Sequence, residues 1–196
     1  MGAFDVVGQT QTVYSMQFED IHQQLIGRFG PAILRAEPAA IDPWIEVAGG
    51  RLAEIGLWLR DEPALRFNML HCISGVDYFE ADAKKAAAVA WQPHMEVLYH
   101  LSSLVHKHRI VLLVTLPRWQ DDTPGCLPDL PSVTNVWKTA NWHEREVFDL
   151  IGVNFVGHPD LTRILLPEDW IGHPLRKDYR PPHEYHGIAR RIENAG

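Results

Sequence analysis

Cysteine is scarce: Cys72 and Cys126 are the only two in 196 residues, they lie far apart, and they form no C-x-x-C pair. That fits a reducing compartment and supplies neither a disulfide framework nor a cysteine-ligated iron–sulfur cluster. Long hydrophobic runs are missing too, since none approaches the ~18 apolar residues of a membrane-crossing helix. The first residues, MGAFDVVGQTQTVYSM, lack a basic stretch followed by an apolar one and are not arginine-rich, so no secretory or organellar signal is expected. Gly2 invites N-myristoylation, but Val6 stands where Ser or Thr is required. Positive charge is in deficit: 18 Lys and Arg against 25 Asp and Glu leave a net −7, which argues against a general nucleic-acid surface. G-x-S-x-G, G-x-G-x-x-G, Walker and H-E-x-x-H patterns are all absent. The expectation is a soluble intracellular chain without catalytic apparatus of its own.

What is present is an ordinary core-building composition, 46% apolar, in a length suited to one domain with an appended segment. Phe18, Ile21, Leu25 and Phe29 recur at helical spacing and Gly30-Pro31 ends that helix. Short strands are expected near 33–35 and 44–47, the second stopped by Gly49-Gly50. Leu52, Ile55, Trp58 and Leu59 share a stripe of a helix over 51–60. Residues 67–79 read as a strand with a bulge at Gly75, and Cys72 in it is expected to be core. The alanine-rich 81–91 reads as a short helix. Residues 95–103 alternate like a half-buried strand. Residues 110–116, continuously apolar, read as a strand covered on both faces, and the two make a hairpin across the polar turn at 106–109. Four prolines between 117 and 133 predict a loop. The sum is an α+β fold: a mixed or antiparallel sheet with helices packed on it. Residues 1–152 form that domain, and 153–196 an extended C-terminal segment.

The stretch 141–179 differs from the rest. It is dense in charge, histidine, glycine and proline, with Gly-His-Pro at both 157–159 and 172–174. Residues 1–156 hold 12 basic and 19 acidic side chains, whereas 157–196 hold six of each and four of the eleven histidines. Asn141 with Glu144 three residues on predicts a capping box, and Gly152 a stop, for a helix over 142–151. Glu144 nevertheless falls in the middle of the apolar stripe of Val147, Phe148 and Ile151. It is either a cap near solvent or one half of a buried ion pair with Arg163, Arg176 or a partner chain. His158 and His173, each before a proline, sit on extended backbone and read as satisfied turn residues; a metal held by them and an Asp is the alternative. Arg176-Lys177 and Arg190-Arg191 are too sparse for nucleic acid and are expected to pair with a partner's carboxylates. Too little apolar surface follows residue 155 to anchor a tail, so mobility is expected there before assembly.

Glu144-Arg145-Glu146, Asp149, Gly152, Phe155, the run from Gly157 to Leu161, Arg163-Ile164-Leu165 and the run from Gly172 to Tyr179 resemble the signature of the C subunit of NADH:quinone oxidoreductase, the 30 kDa subunit family of respiratory complex I. Tyr99-His100-Leu101, Ser132-Val133 and Ala140-Asn141-Trp142 extend the match, dense over 132–179 and weaker over about 65–116. The resemblance implies an α+β domain in the peripheral arm, with a C-terminal extension docked on the quinone-site D subunit and close to the B subunit. It implies a place on the cytoplasmic side of a bacterial cell membrane, reached only through the complex. NADH, FMN, iron–sulfur clusters and quinone then belong to the whole proton-translocating complex, and this chain binds no cofactor or metal. Glu144, Arg145, Glu146, Asp149, His158, Asp160, Arg163, His173, Arg176, Lys177 and Asp178 are the implied assembly residues. Thr162 departs from the family's usual basic residue, and 80–93 is longer than usual. Equivalent subunits occur in membrane-bound hydrogenase and ferredoxin-linked complexes. A stand-alone histidine-metal hydrolase is the remaining alternative.

Overall fold

The helical spacings materialise as α1 (Phe18–Phe29), which buries Ile21, Leu25 and Phe29, and α2 (Leu52–Asp61), which buries Leu52, Ile55 and Leu59. Both stripes pack into one hydrophobic cluster with alternate residues of a five-stranded sheet. The computed structural model describes residues 15–189, so the N-terminal stretch read for targeting signals and the Arg190-Arg191 pair lie outside it.

The sheet comprises β1 (Ile33–Glu37), β2 (Trp44–Val47), β3 (Met69–Tyr78), β4 (His94–Ser102) and β5 (Arg109–Leu116), in the order β1-β2-β5-β4-β3. Only β2 and β5 pair in parallel, and β4–β5 is the expected hairpin. The fold is the expected mixed α+β arrangement. The expected helix over 81–91 shrinks to α3 (Ala83–Ala86). Two three-residue strands, β6 (Asp129–Pro131) and β7 (Asn154–Val156), pair in parallel inside and beyond the stretch expected to be loop. Near the end, β8 (Glu184–Tyr185) and β9 (Ile188–Ala189) form a small hairpin.

Two expectations need correction. The register shift in β3 falls between Leu70 and Cys72, not at Gly75. Gly75 is instead where helix α4 (Ala140–Leu150) crosses the strand: an added Cβ would lie 2.9 Å from Val147 Cγ1 and 3.0 Å from Ile151 Cγ1. Cys72 is half-buried rather than core, because that shift sets it opposite His100 on the outer face. Strand β5 is buried on both faces, as expected; Val111 and Leu113, which lie outside the core cluster, are flanked by Trp44, His100 and Leu98 on neighbouring strands.

Candidate functional site

The short β6–β7 pair decides the surroundings of α4. It is extended by a hydrogen bond from Ser132 N–H to the Val156 carbonyl, which fixes residues 132–134 against the first turns of the helix. Helix α4 begins at Ala140 after Thr139, with no side-chain cap, so the capping box expected from Asn141 and Glu144 does not form. Ala140 is fully buried and draws the first turn inward, and Glu144 turns the same way. Its carboxylate accepts hydrogen bonds from Val133 N–H and Ser132 Oγ–H, both at 2.7 Å.

Glu144 is therefore neither a solvent-facing cap nor a partner of Arg163 or Arg176. It is wholly buried on hydrogen bonds alone. Burial pushes its pKa up from 4.5 to about 7, against the pull of Ser132 and Val133. His158 Nε2 lies 3.9 Å away, but this ring is committed elsewhere. Its Nδ1 accepts from Asp160 N–H at 3.0 Å, so Nε2 carries the hydrogen and donates to the Asn141 carbonyl at 3.1 Å. The ring holds the first Gly-His-Pro turn to the start of α4.

The far end of the helix is a second polar centre. Asp149 is buried, with Oδ1 on Arg163 Nη1 at 2.6 Å and Oδ2 accepting the backbone N–H groups of Ile164, Leu165 and Leu166 at 2.8–3.0 Å. Burial alone would raise its pKa, but these donors hold it below the usual carboxylate range. The chain between 163 and 166 is thus wound around one carboxylate. Arg163 also reaches the Asp149 and Gly172 carbonyls, and His173 Nδ1 donates to the Asp149 carbonyl at 3.0 Å. Burial lowers the His173 pKa, as do the charges of Arg176 and Arg163. Its ring lies so close to Gly152 that a Cβ there would come within 2.5 Å, and Gly152 has φ +82°; only glycine satisfies both conditions.

Arg176 closes the arrangement. Its guanidinium donates to the carbonyls of Ile151 (2.7 Å), Gly152 (3.0 Å) and Arg118 (3.0 Å), at the negative end of the α4 dipole. It lies 3.7 Å from the centre of the Trp119 ring. Burial and the nearby Arg118 charge pull its pKa down to about 10, so it stays charged. Arg118 forms an ion pair with buried Asp77 and another with Asp178, while Lys177 N–H donates to Asp77. The expectation that Arg176 meets a partner's carboxylate is corrected: its guanidinium is buried and donates to three carbonyls of its own chain. Arg145 lies over Trp142 and donates to the carbonyl and hydroxyl of Thr162. Threonine at 162 therefore accepts from Arg145, which a lysine or arginine side chain there could not do. Asp160 stays exposed 3.8 Å from Arg145; Glu146 and Lys177 are exposed.

Within residues 157–179, Arg163, His173 and Arg176 turn inward onto the domain, while Leu165, Ile171 and Leu175 turn out; Asp160, Glu168, Asp169 and Lys177 stay exposed and Leu161 packs on the core. Leu165, Ile171 and Leu175 are 59%, 83% and 55% exposed, and Trp142, Val156 and Ile188 are exposed as well. The expected shortage of apolar anchorage is real, but hydrogen bonds replace it. The chain also crosses residue 152 without leaving the body, since 154–156 form β7. Ser132, Val133, Asp77, Arg118 and Trp119 belong to the site without having been expected there. The first two enter the sequence reading only through the family resemblance, and the others carry no local pattern. Among the described residues, no three His, Cys, Asp or Glu side chains converge as a metal site requires.

The family described as "Respiratory-chain NADH dehydrogenase, 30 Kd subunit" matches residues 45–185. The NADH-quinone oxidoreductase C subunit of Roseiflexus castenholzii is 42% identical over 147 residues, covering 75% of each chain. Its counterpart in Chlorobium phaeobacteroides is 40% identical over 163 residues, 82% of this chain and 87% of that one. The solved trypsin-resistant fragment (1–134) of Nqo5 superposes with a TM-score of 0.55 at 29% identity, covering 74% of this chain and all of the fragment. A chain of an archaeal respiratory membrane complex, the membrane-bound sulfane sulfur reductase, shares the fold with a TM-score of 0.60 at 21% identity, covering 83% and 85%.

Proposed function

Because this chain belongs to the 30 kDa subunit family of respiratory-chain NADH dehydrogenase, we propose that it is a structural subunit of the peripheral arm of a proton-translocating NADH:quinone oxidoreductase. The outward Leu165, Ile171 and Leu175, on a segment fixed by inward-facing Arg163, His173 and Arg176, carry this reading, since they offer apolar area to a neighbouring subunit. The quinone-site D subunit is the proposed principal partner, with the B subunit nearby. Redox chemistry belongs to FMN, iron–sulfur clusters and quinone held by other subunits, and this chain acts by keeping the quinone-reducing core in shape. Membrane association on the cytoplasmic side comes through the complex, in keeping with the lack of any helix long and apolar enough to cross a membrane among the described residues.

Within this reading, Glu144, Asp149, His158, Arg163, His173, Arg176 and Asp178 shape the docking surface from behind. Arg145, Glu146, Asp160 and Lys177 lie at its rim. The test is a mild-detergent pull-down of the tagged chain from its native membranes, with an NADH:quinone reductase assay. Recovery of flavin and iron–sulfur subunits with activity is the expected result. A membrane assembly without NADH activity would instead indicate a hydrogenase or ferredoxin-linked complex. Recovery of the chain alone would refute the docking role.

A further inference from the structure

The two edges of the main sheet are defended unequally. Strand β1 is five residues long, carries Arg35 and Glu37, and is kinked by a register shift. These are the usual protections of a strand edge. Strand β3 is ten residues long and has no lysine, arginine or proline; its one carboxylate, Asp77, is buried on Arg118. Among the described residues, its backbone takes one hydrogen bond from outside the sheet, from Thr139 Oγ1–H to the Leu70 carbonyl, while the Asp77 side chain near the other end receives Lys177 N–H. Between these points β3 pairs with no other strand than β4 among the described residues.

Beside this bare stretch runs a cleft of about 190 Å³, floored by Ile73 and Gly75, walled by Leu150 and Leu175, and edged by exposed Glu146. Since Gly75 lets α4 lie close to the sheet, the helix overhangs the strand edge. A strand added to β3 would direct alternate side chains into the cleft. We propose that β3 is a second docking site, taking an extended segment of a neighbouring subunit that pairs with residues 71–76. That segment sets an aliphatic side chain in the cleft and a lysine or arginine against Glu146. A second copy of this chain fits poorly. Edge-to-edge pairing of two β3 strands would bring two Glu146 carboxylates together and set two overhanging α4 helices against each other. The proposal rests on the reading that the chain sits in an assembly; its cleft adjoins the tail's outward surface at Leu175 and Glu146, and the backbone of 71–76 is what distinguishes it.

Hydrogen exchange compares the intact complex with the isolated full chain. In the complex, every second amide of 71–76 exchanges more slowly by roughly tenfold or more. Glu146→Lys, at an exposed position, removes the protection of 71–76 while that of 157–179 persists, most strongly at low salt; loss of both together overturns the β3 site. Protection confined to 157–179, with 71–76 unchanged, overturns the β3 site and leaves the tail docking intact. Protection of 71–76 that appears in the isolated chain as its concentration rises assigns the edge to a second copy and overturns the hetero-partner. Failure of the chain to enter any complex removes both readings.

Discussion

Replacing Glu144 by glutamine separates the burial of its charge from its hydrogen bonds. The folded value of about 7 against 4.5 corresponds to ~3 kcal/mol between the two protonation states. The folded value is raised, so the folded chain binds the proton more tightly. The associated stability is present in full below pH 4.5 and is lost as the pH climbs through about 7. Glutamine removes this dependence but keeps an oxygen for Val133 N–H. Its amide then faces Ser132, whose hydroxyl can swing to Thr134 Oγ1, already 2.9 Å away. Glu144→Gln should be near neutral or mildly destabilising at about pH 5 and gain up to ~3 kcal/mol relative to the native chain by about pH 8. Urea unfolding of both proteins across this range gives the difference directly. Groups such as Asp149 and Asp178, with pKa values held low, cancel between the two. A difference that stays flat with pH, or that turns against the variant as pH rises, would show that Glu144 is not a buried carboxyl held on neutral donors.

Asp149→Ala leaves three backbone amides without their acceptor and Arg163 without its carboxylate, and should cost roughly 3–5 kcal/mol. Limited proteolysis would then cut within 160–175 long before the core. Because Asp149 and Asp178 titrate below the usual carboxylate range, their stabilisation is present above that range and lost as the pH falls from it through their lowered values. In contrast to Glu144→Gln, Asp149→Asn should therefore lose most of its effect in strong acid, as acid-unfolding midpoints would reveal. Arg176→Ala uncaps the Ile151, Gly152 and Arg118 carbonyls and should lower the amount of assembled complex more than turnover per complex. Normal assembly with lost turnover, measured on blue-native gels and by NADH oxidation, would contradict it. Gly152→Ala meets the His173 ring and a positive φ together and should destabilise by at least ~2 kcal/mol in denaturant titration.

Periodicity makes α1, α2 and the β4–β5 hairpin legible, because each buries one stripe or one face in the same core. It cannot reveal β6 and β7. Three residues contain too little alternation to register, and their parallel pairing joins chain segments 25 residues apart at Asp129 and Asn154. The helical spacing puts Glu144 in the middle of an apolar stripe, and there it lies. Its partners are not legible, since Ser132 and Val133 reach it only through that short sheet. The local Asn141–Glu144 spacing points to a cap and loses to the burial of Ala140. The tail's charges are legible as a constellation, but not their direction. Arginine is commonly matched with carboxylates, and a side chain that terminates a helix on bare carbonyls leaves no charge pattern to read. Gly75 shows the same limit: the sequence marks an interruption, and only the crossing of α4 distinguishes a packing contact from a bulge.

The outward face of the tail bears on how a cell counts its subunits. A copy made in excess displays Leu165, Ile171, Leu175 and Ile188 on a shape already set by Asp149 and Arg176. These are the features by which chaperones and proteases select substrates. The surface that would recruit a partner is thus also a tag for being without one. Supply of this chain would then be trimmed to the number of assemblies able to cover it, with no separate regulatory sequence.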